Sequence, residues 1–478
     1  MARCCKLDHT TTDDHDVTGE IMTLWNRLGF SQNPYSTRPI PADAQGEKLL
    51  VGREKELEKL TKYIKNSDTH PTLEGPNGVG KTSLVAVAGY KLKTEFENNE
   101  THQALIPLPE PFQLTTDDNA ASFKRRVFYK VAQAFIDNHS LLKERGFRVP
   151  DIEQVNLWLN APTYQTTGAG LTIAGIGGNV TNGTSSNSSV GFSEAGFIAT
   201  VTTWLKECFP ERDSGGFICN IDNLELLETS KNARNLLEAL RDEVLLVTGL
   251  SWVLCGARGI IRAAASSPRM QGVLSEPTDI NPIRHDQIKR LISSRFEVFS
   301  LTDANGKALA KAPVTELGFD HVYRVGNNNL RNAMKYSEDF SMVTSEEKLL
   351  TLNDEEKLAE LETWMDKVAE NYLEATTVKP RAWKVFDDLA GRGGGMSPSE
   401  YGDYGFESSQ ALRPHIRDLE FDNLVESAVD ETDDRRRTIN ITSKGWLVFR
   451  HRMKTGKVLP PIASTNTLGD AGDSDLPT

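Results

Sequence analysis

The chain has 478 residues, a length that accommodates two or three domains and a sizeable core. With 54 basic against 67 acidic residues its net charge is −13, so it is not a polycation and any nucleic-acid contact has to come from a local surface. No stretch reaches the ~18 apolar residues of a membrane helix, the start Met1–Lys6 lacks a signal-peptide core, and the five cysteines (Cys4, Cys5, Cys208, Cys219, Cys255) include no C-x-x-C pair, so a reduced, cytoplasmic protein with no membrane partner is expected.

Residues 1–20 are polar and rich in His, Asp and Thr, and read as a flexible tail; His9 and His15 have no ligand cluster to join. An amphipathic stretch from Ile21 leads to Asn33-Pro34-Tyr35 and a proline-rich connector. Leu57, Leu60 and Ile64 then fall at helical spacing. Thr72-Leu73-Glu74 is strand-like, and a helix-like run from Ser83 to Ala88 follows after a short gap.

That gap holds Gly75-Pro76-Asn77-Gly78-Val79-Gly80-Lys81-Thr82, which satisfies G-x-x-x-x-G-K-[ST] at every fixed position. The glycines let the backbone curl so that successive N–H groups face phosphate oxygens, and the following helix adds the positive end of its dipole. Lys81 is placed to bridge terminal phosphates, Thr82 to offer its hydroxyl to Mg²⁺, and Ser83 to close the loop's contacts. A plain glycine turn would leave the lysine and threonine without a role.

Downstream, strand and helix alternate: Ala104–Leu108 as strand, Phe123–Ile136 as helix, Phe217–Ile221 and Ser251–Cys255 as buried strands. This alternation predicts an α/β fold with a parallel sheet covered on both faces. Residues 166–194, rich in Gly, Ser, Thr and Asn, interrupt the rhythm and read as a flexible insertion. The apolar strand that runs into Asp222 has the form of a metal-supporting Walker B element, which makes Thr82 and Asp222 the candidate Mg²⁺ residues. Asn223 follows where a glutamate would supply a strong general base, and Glu225 is two residues further on, so hydrolysis is expected to be slow or conditional.

Taken in order, Val51-Gly52-Arg53-Glu54, the phosphate loop, Ile221-Asp222-Asn223, Gly256-Ala257-Arg258 and Gly326-Asn327-Asn328-Asn329-Leu330-Arg331 resemble the AAA+/STAND group of ATPases. Within that group the likeness is to the origin-recognition and cell-division-control initiator ATPases, with the NACHT and NB-ARC switches as neighbours. The resemblance spans about residues 30–455 and implies the cofactors ATP or ADP with Mg²⁺. It implies that Val51, Gly52 and Arg53 border the adenine through their backbone, that Arg258 stands at the sensor-1 position, and that Arg331 reaches the phosphates from the lid as sensor 2. A guanidinium suits that last task because its planar fork grips two oxygens and stays charged. Arg262 competes with Arg258, and either is also a candidate arginine finger acting on a neighbouring subunit, which would imply a homo-oligomer.

The expected organisation is an ATPase core over residues 21–280, a helical lid over 281–345, a helical connector over 346–375, a winged helix-turn-helix over 376–455 and a flexible tail over 456–478. In the winged unit, Arg381–Ala390 reads as a first helix, Ser397–Glu400 opens a second, Gln410–Leu424 is the third, and Val425–Val429 and Thr438–Thr442 are strands around a charged tip. Such a unit places its third helix in the DNA major groove and its wing on the backbone. The candidate DNA contacts are Ser409, Gln410, Arg413 and Arg417 on the helix and Arg435, Arg436 and Arg437 in the wing. Two features weigh for protein docking instead: four acidic residues share the wing, and Pro414 falls inside the third helix. The function expected is an ATP-dependent, double-stranded-DNA-binding switch; the alternative is a STAND-like signalling or antiviral-defence ATPase whose winged helix docks a partner protein.

Overall fold

The strand that launches the phosphate loop is β1 (Thr72–Glu74), all three of its residues buried. Five more strands complete its sheet: β2 (Ala104–Pro107), β3 (Phe112–Gln113), β4 (Gly215–Asp222), β5 (Leu250–Gly256) and β6 (Thr278–Asp279). Every pairing is parallel, and the order is β2-β4-β5-β1-β6, with β3 continuing along β4. One strand, β5, therefore separates the loop strand from the strand that ends in Asp222. The carboxyl ends of β1, β4 and β5 open on the same edge, the edge where ligands collect in such sheets. This computed structural model describes residues 22–160, 194–227, 229–257, 259–429 and 437–458. Among them no helix is long and apolar enough to cross a membrane.

Helices cover both faces, which is why β4 and β5 are almost wholly buried. Lys81–Glu97 and Glu54–Asn66 pack with Leu60, Ile64, Leu84, Val85 and Leu92 toward Leu73, Ile218 and Val253. On the other side Ala120–Asp137 and Glu194–Cys208 bring Phe123, Phe128, Phe135 and Trp204 into one core with Phe217 and Trp252. Glu194 thus opens a helix instead of closing the expected insertion, whose residues 166–193 lie outside the described ones.

A second core joins the helices His285–Phe299, Glu316–Val325 and Leu330–Val343 to Asp354–Glu374. Two expected elements divide. The lid expected over residues 281–345 breaks at Gly326–Asn329, where Asn327 and Asn328 take φ of 53° and 61° and Asn329 caps the next helix. The connector splits into Glu346–Thr351 and Asp354–Glu374, because Asn353 accepts from the Glu356 amide and starts a new helix. Leu361, Met365 and Ala369 are buried, so the connector is part of the lid's core. The N-terminal Trp25, Leu28, Phe30, Tyr35, Leu49 and Val51 pack into this same core, not against the sheet.

The C-terminal unit has a third core, formed by Pro380–Gly391, a 3₁₀ segment Pro398–Tyr404, Ser409–Phe421 and Ser443–Lys454 around a small sheet. That sheet holds β7 (Gly395–Met396), β8 (Val425–Val429) and β9 (Arg437–Ile441), antiparallel in the order β7-β9-β8. A bidentate ion pair ties its first helix to its last: Arg452 Nε and Nη2 donate to the two oxygens of Asp387 at 3.1 and 2.7 Å, both residues under 10% exposed.

Candidate functional site

Left-handed backbone at two glycines shapes the loop. Gly78 and Gly80 have φ of 83° and 97°, a region that costs an L-residue about 1–2 kcal/mol. The turn delivers Lys81 and Thr82 as the first residues of helix Lys81–Glu97. Lys81 is 6% exposed and lies back along the loop, its Nζ donating to the carbonyls of Gly75 at 2.7 Å and Pro76 at 3.2 Å. Burial pulls its pKa below the usual lysine value, and the nearby Glu225 carboxylate is the largest influence opposing that.

The Thr82 hydroxyl donates to Asp222 Oδ2 at 2.5 Å, across 140 residues of sequence. Asp222 is 3% exposed at the tip of β4, and its other oxygen accepts from the Asn223 amide at 3.0 Å, Asn223 itself having φ of 57°. A hydroxyl and a carboxylate at that separation are hard oxygen donors of the kind Mg²⁺ takes. Among the described residues no group of three or more His, Cys, Asp or Glu is placed to hold a metal ion. Glu225 lines the same cavity, and one of its oxygens accepts from the Ala257 amide at 3.0 Å.

The lid rests directly on the loop. The Asn329 side chain donates to Asn77 O at 3.3 Å, and a Cβ on Gly78 would stand 2.9 Å from the Cβ of Arg331. Arg331 lines the cavity with Leu330 and Met334, and its charge depresses the Lys81 pKa, so two cations converge where phosphates would lie. Arg53 lines the cavity, and its side chain also braces the loop. Its guanidinium turns inward, 4% exposed, and donates to Val79 O at 2.9 Å and Asn281 O at 2.6 Å, clamping the loop to the chain after β6. Val51 also lines the cavity; Gly52, between them, does not. Arg258 lies outside the described residues. Arg262 is engaged with Glu74 at 3.1 Å and Asp279 at 3.5 Å, and so ties β1 to β6.

Several lining residues carried no motif. The segment Ser36–Ile40 forms one wall, and Leu49, Ile283, Leu291, Arg295 and Met334 form an apolar end with one buried cation. Only the Asn-Pro-Tyr and the two prolines at 39 and 41 hinted at a stiff segment there.

On the C-terminal unit, Gln410, Arg413, Pro414, Arg417 and Phe421 share one exposed face of Ser409–Phe421, while Leu412, Ile416 and Leu419 face the core. Phe421, 78% exposed, was not anticipated. Ser409 is the first residue of that helix, behind the Ser408 cap. Arg435 and Arg436 lie outside the described residues, and Arg437 opens β9. This unit also touches the lid beside the same cavity: the Asn332 side chain donates to Ser443 Oγ, and Ser443 Oγ donates to Gly326 O at 3.3 Å.

No protein-family model matches the chain, and none of the curated proteins does. Among solved structures it is similar to the Aeropyrum pernix ORC1 protein in complex with DNA, at 16% identity and a TM-score of 0.37, over 86% of this chain and 97% of that one. It is similar to the Walker-type ATPase PABY2304 of Pyrococcus abyssi, at 14% identity and a TM-score of 0.42, over 87% and 99%. The ADP form of the Aeropyrum pernix ORC2 protein is also similar, at 10% identity and a TM-score of 0.41, over 90% and 100%. The fold itself rests on the strand order and the loop.

Proposed function

We propose that the protein is an ATP-dependent molecular switch that binds ATP with Mg²⁺ at the loop, hydrolyses it slowly or conditionally, and binds double-stranded DNA through the C-terminal unit. The observation that carries this reading is the convergence on one cavity of Lys81, the Thr82–Asp222 pair and Arg331, with the lid seated on the loop. Main-chain amides of the loop and Lys81 would hold the phosphates, and Thr82 and Asp222 would hold Mg²⁺, which would neutralise phosphate charge when bound. To reach the phosphates Lys81 exchanges two carbonyl bonds for charged oxygens. Arg331 adds a grip that depends on a terminal phosphate and on the lid's position. Glu225, with one oxygen committed to Ala257, is the carboxylate nearest in sequence to a water-orienting role, and its partial engagement suits slow turnover.

The C-terminal unit runs helix, two-residue strand, 3₁₀ segment, helix, strand, strand, helix, an order that supports a winged-helix reading, and its helix Ser409–Phe421 presents Gln410, Arg413 and Arg417 outward. Arg413 and Arg417 form no ion pair among the described residues, which leaves both free for phosphates or bases. The test is duplex-DNA affinity across salt, with ATP and with ADP, for wild type and for Arg413→Ala/Arg417→Ala. The expected result is a log–log salt slope shallower in the double variant by about 1–2. Binding that is absent, or that ignores both salt and the substitutions, would remove DNA and leave protein docking as the unit's role. Lys81→Ala is expected to lose ATP; retained affinity would overturn the site.

A further inference from the structure

The phosphate end accounts for Lys81, Thr82, Asp222 and Arg331 but not for a buried cation at the other end of the cavity. Arg295 is 7% exposed, one turn beyond Leu291 on helix His285–Phe299. Its Nε donates to Pro34 O at 2.6 Å and its Nη2 to Ser36 O at 2.9 Å, and its guanidinium lies 5.7 Å from the Phe299 ring centre. No carboxylate pairs with it among the described residues, and burial pushes its pKa down to about 10. Stripping a guanidinium of water is costly, and an apolar side chain would fill the space without that cost. What the arginine adds is a pair of directed bonds to one stretch of main chain.

That stretch is a strap. Ser36–Ile40 separates the nucleotide cavity from a second cavity, and Arg295 borders both. At its near end the Tyr35 hydroxyl donates to Val314 O at 2.5 Å and accepts from Val314 N at 3.1 Å. At its far end the Ile40 amide donates to Ser83 Oγ at 3.1 Å, on the residue after the metal-binding Thr82. The same cavity is lined by Leu49, Val51, Ile283, Leu291 and Met334, apolar side chains suited to the flat face of a base.

We propose that Arg295 is a positioning residue that latches the Pro34–Ile40 strap over the nucleoside half of the cavity, so that base and ribose, but not phosphates, are recognised through the strap. This rests on the reading of the cavity as a nucleotide site. Polar edges of the base would meet main-chain groups held in place by the latch, while the triphosphate would depend on the loop alone.

The test compares Mg·ATP with inorganic tripolyphosphate and Mg²⁺, by calorimetry, on wild type, Arg295→Met and Arg295→Lys. Arg295→Met is expected to weaken ATP at least tenfold and tripolyphosphate less than twofold, with Arg295→Lys between. Equal affinities of wild type and Arg295→Met for ATP, or a parallel loss for both ligands, would overturn the latch. Hydrogen exchange on the wild type covers the case of a variant that does not fold: ATP, but not tripolyphosphate, is expected to slow the amides of Ser36, Thr37, Arg38 and Ile40, and equal protection by both would overturn the proposal. Binding of neither ligand by the wild type would overturn the nucleotide site itself.

Discussion

Replacing Gly78 by alanine sets a methyl group beneath the lid, and Gly80→Ala is its internal control. Both glycines hold positive φ, 83° and 97°, so each substitution bears a backbone strain of about 1–2 kcal/mol. Only one meets the lid. A Cβ at Gly78 would be 2.9 Å from Arg331 Cβ and 3.1 Å from Asn329 Oδ1, whereas at Gly80 nothing lies within 4 Å. Ordinary contact begins at 3.4 Å, so the lid must withdraw by 3.4 − 2.9, or roughly 0.5 Å. That withdrawal stretches the Asn329–Asn77 bond from 3.3 Å past the hydrogen-bonding range and draws Arg331 from the phosphates. A charged hydrogen bond is worth about 1.5–3 kcal/mol, or roughly 10- to 150-fold in Kd. The assay is Mg·ATP binding by calorimetry for each alanine variant with and without Arg331→Ala. The expected cycle is non-additive: Arg331→Ala costs its full amount beside Gly80→Ala and little beside Gly78→Ala. An equal cost in both backgrounds would refute the idea that lid contact and Arg331 act together.

Three further outcomes follow from other parts of the molecule. Asn332→Ala should leave Mg·ATP affinity within twofold while the ratio of duplex-DNA affinity with ATP to that with ADP falls toward one, measured by fluorescence anisotropy; an unchanged ratio counts against the contact with Ser443 as the link. Arg452→Met leaves the Asp387 carboxylate buried without its partner and should cost about 3–5 kcal/mol in urea unfolding, first visible as faster hydrogen exchange in β8 and β9; a loss below about 1 kcal/mol would mean the pair is dispensable. His70 holds its Nε2 2.7 Å from Leu245 O and accepts from the Trp252 amide on Nδ1, and burial pushes its pKa down to about 4. Above pH 6.5 neither state binds the proton and the contribution is whole; as pH falls from 6.5 to 4 the unfolded chain takes a proton that the folded one refuses, removing roughly 3 kcal/mol, and the effect stops below pH 4. His70→Gln should flatten the pH dependence of unfolding in that window, and identical profiles for the two proteins would refute it.

Local chemistry made some elements legible, and tertiary contact decided the rest. Thr72–Glu74 and Asp222 stand where the motif order puts them, because a phosphate loop needs a strand behind it and a buried carboxylate beside it. The break at Gly326–Asn329 was hidden because apolar spacing continues across it, and only the backbone reveals two asparagines in the left-handed region. The start of the helix at Asp354 was readable in principle from Asn353 and Glu356, a capping pair. β7, two residues long, has no periodicity to read. Pro414 does lie inside the third helix, where it removes a bond to the Gln410 carbonyl; both residues are exposed, so water can satisfy that oxygen. Nothing in the sequence around Arg53 or Arg295 says that the guanidinium of one grips the loop and that of the other a strap 261 residues away from it in sequence.

The route from the proposed nucleotide site to the proposed DNA-facing helix is short, and each step is a hydrogen bond or a chain neighbour. Arg331 and Asn332 are neighbours at the start of the lid helix, and Asn332 holds Ser443. Ser443 lies between Thr442 and Lys444. The Thr442 hydroxyl donates to Asn423 O at 2.7 Å, and Lys444 Nζ donates to Asp422 O at 2.7 Å. Asp422 and Asn423 are the residues that end helix Ser409–Phe421. A Cβ at Gly445 would approach Leu424 O to 2.2 Å, so the closing helix has little room to slide there and must carry the third helix with it. The weak point is therefore upstream, at Asn327 and Asn328, where positive φ and few buried side chains make the lid's turn the easier place to bend. A phosphate that pulls Arg331 would act on that turn first, and the C-terminal unit would follow as one body.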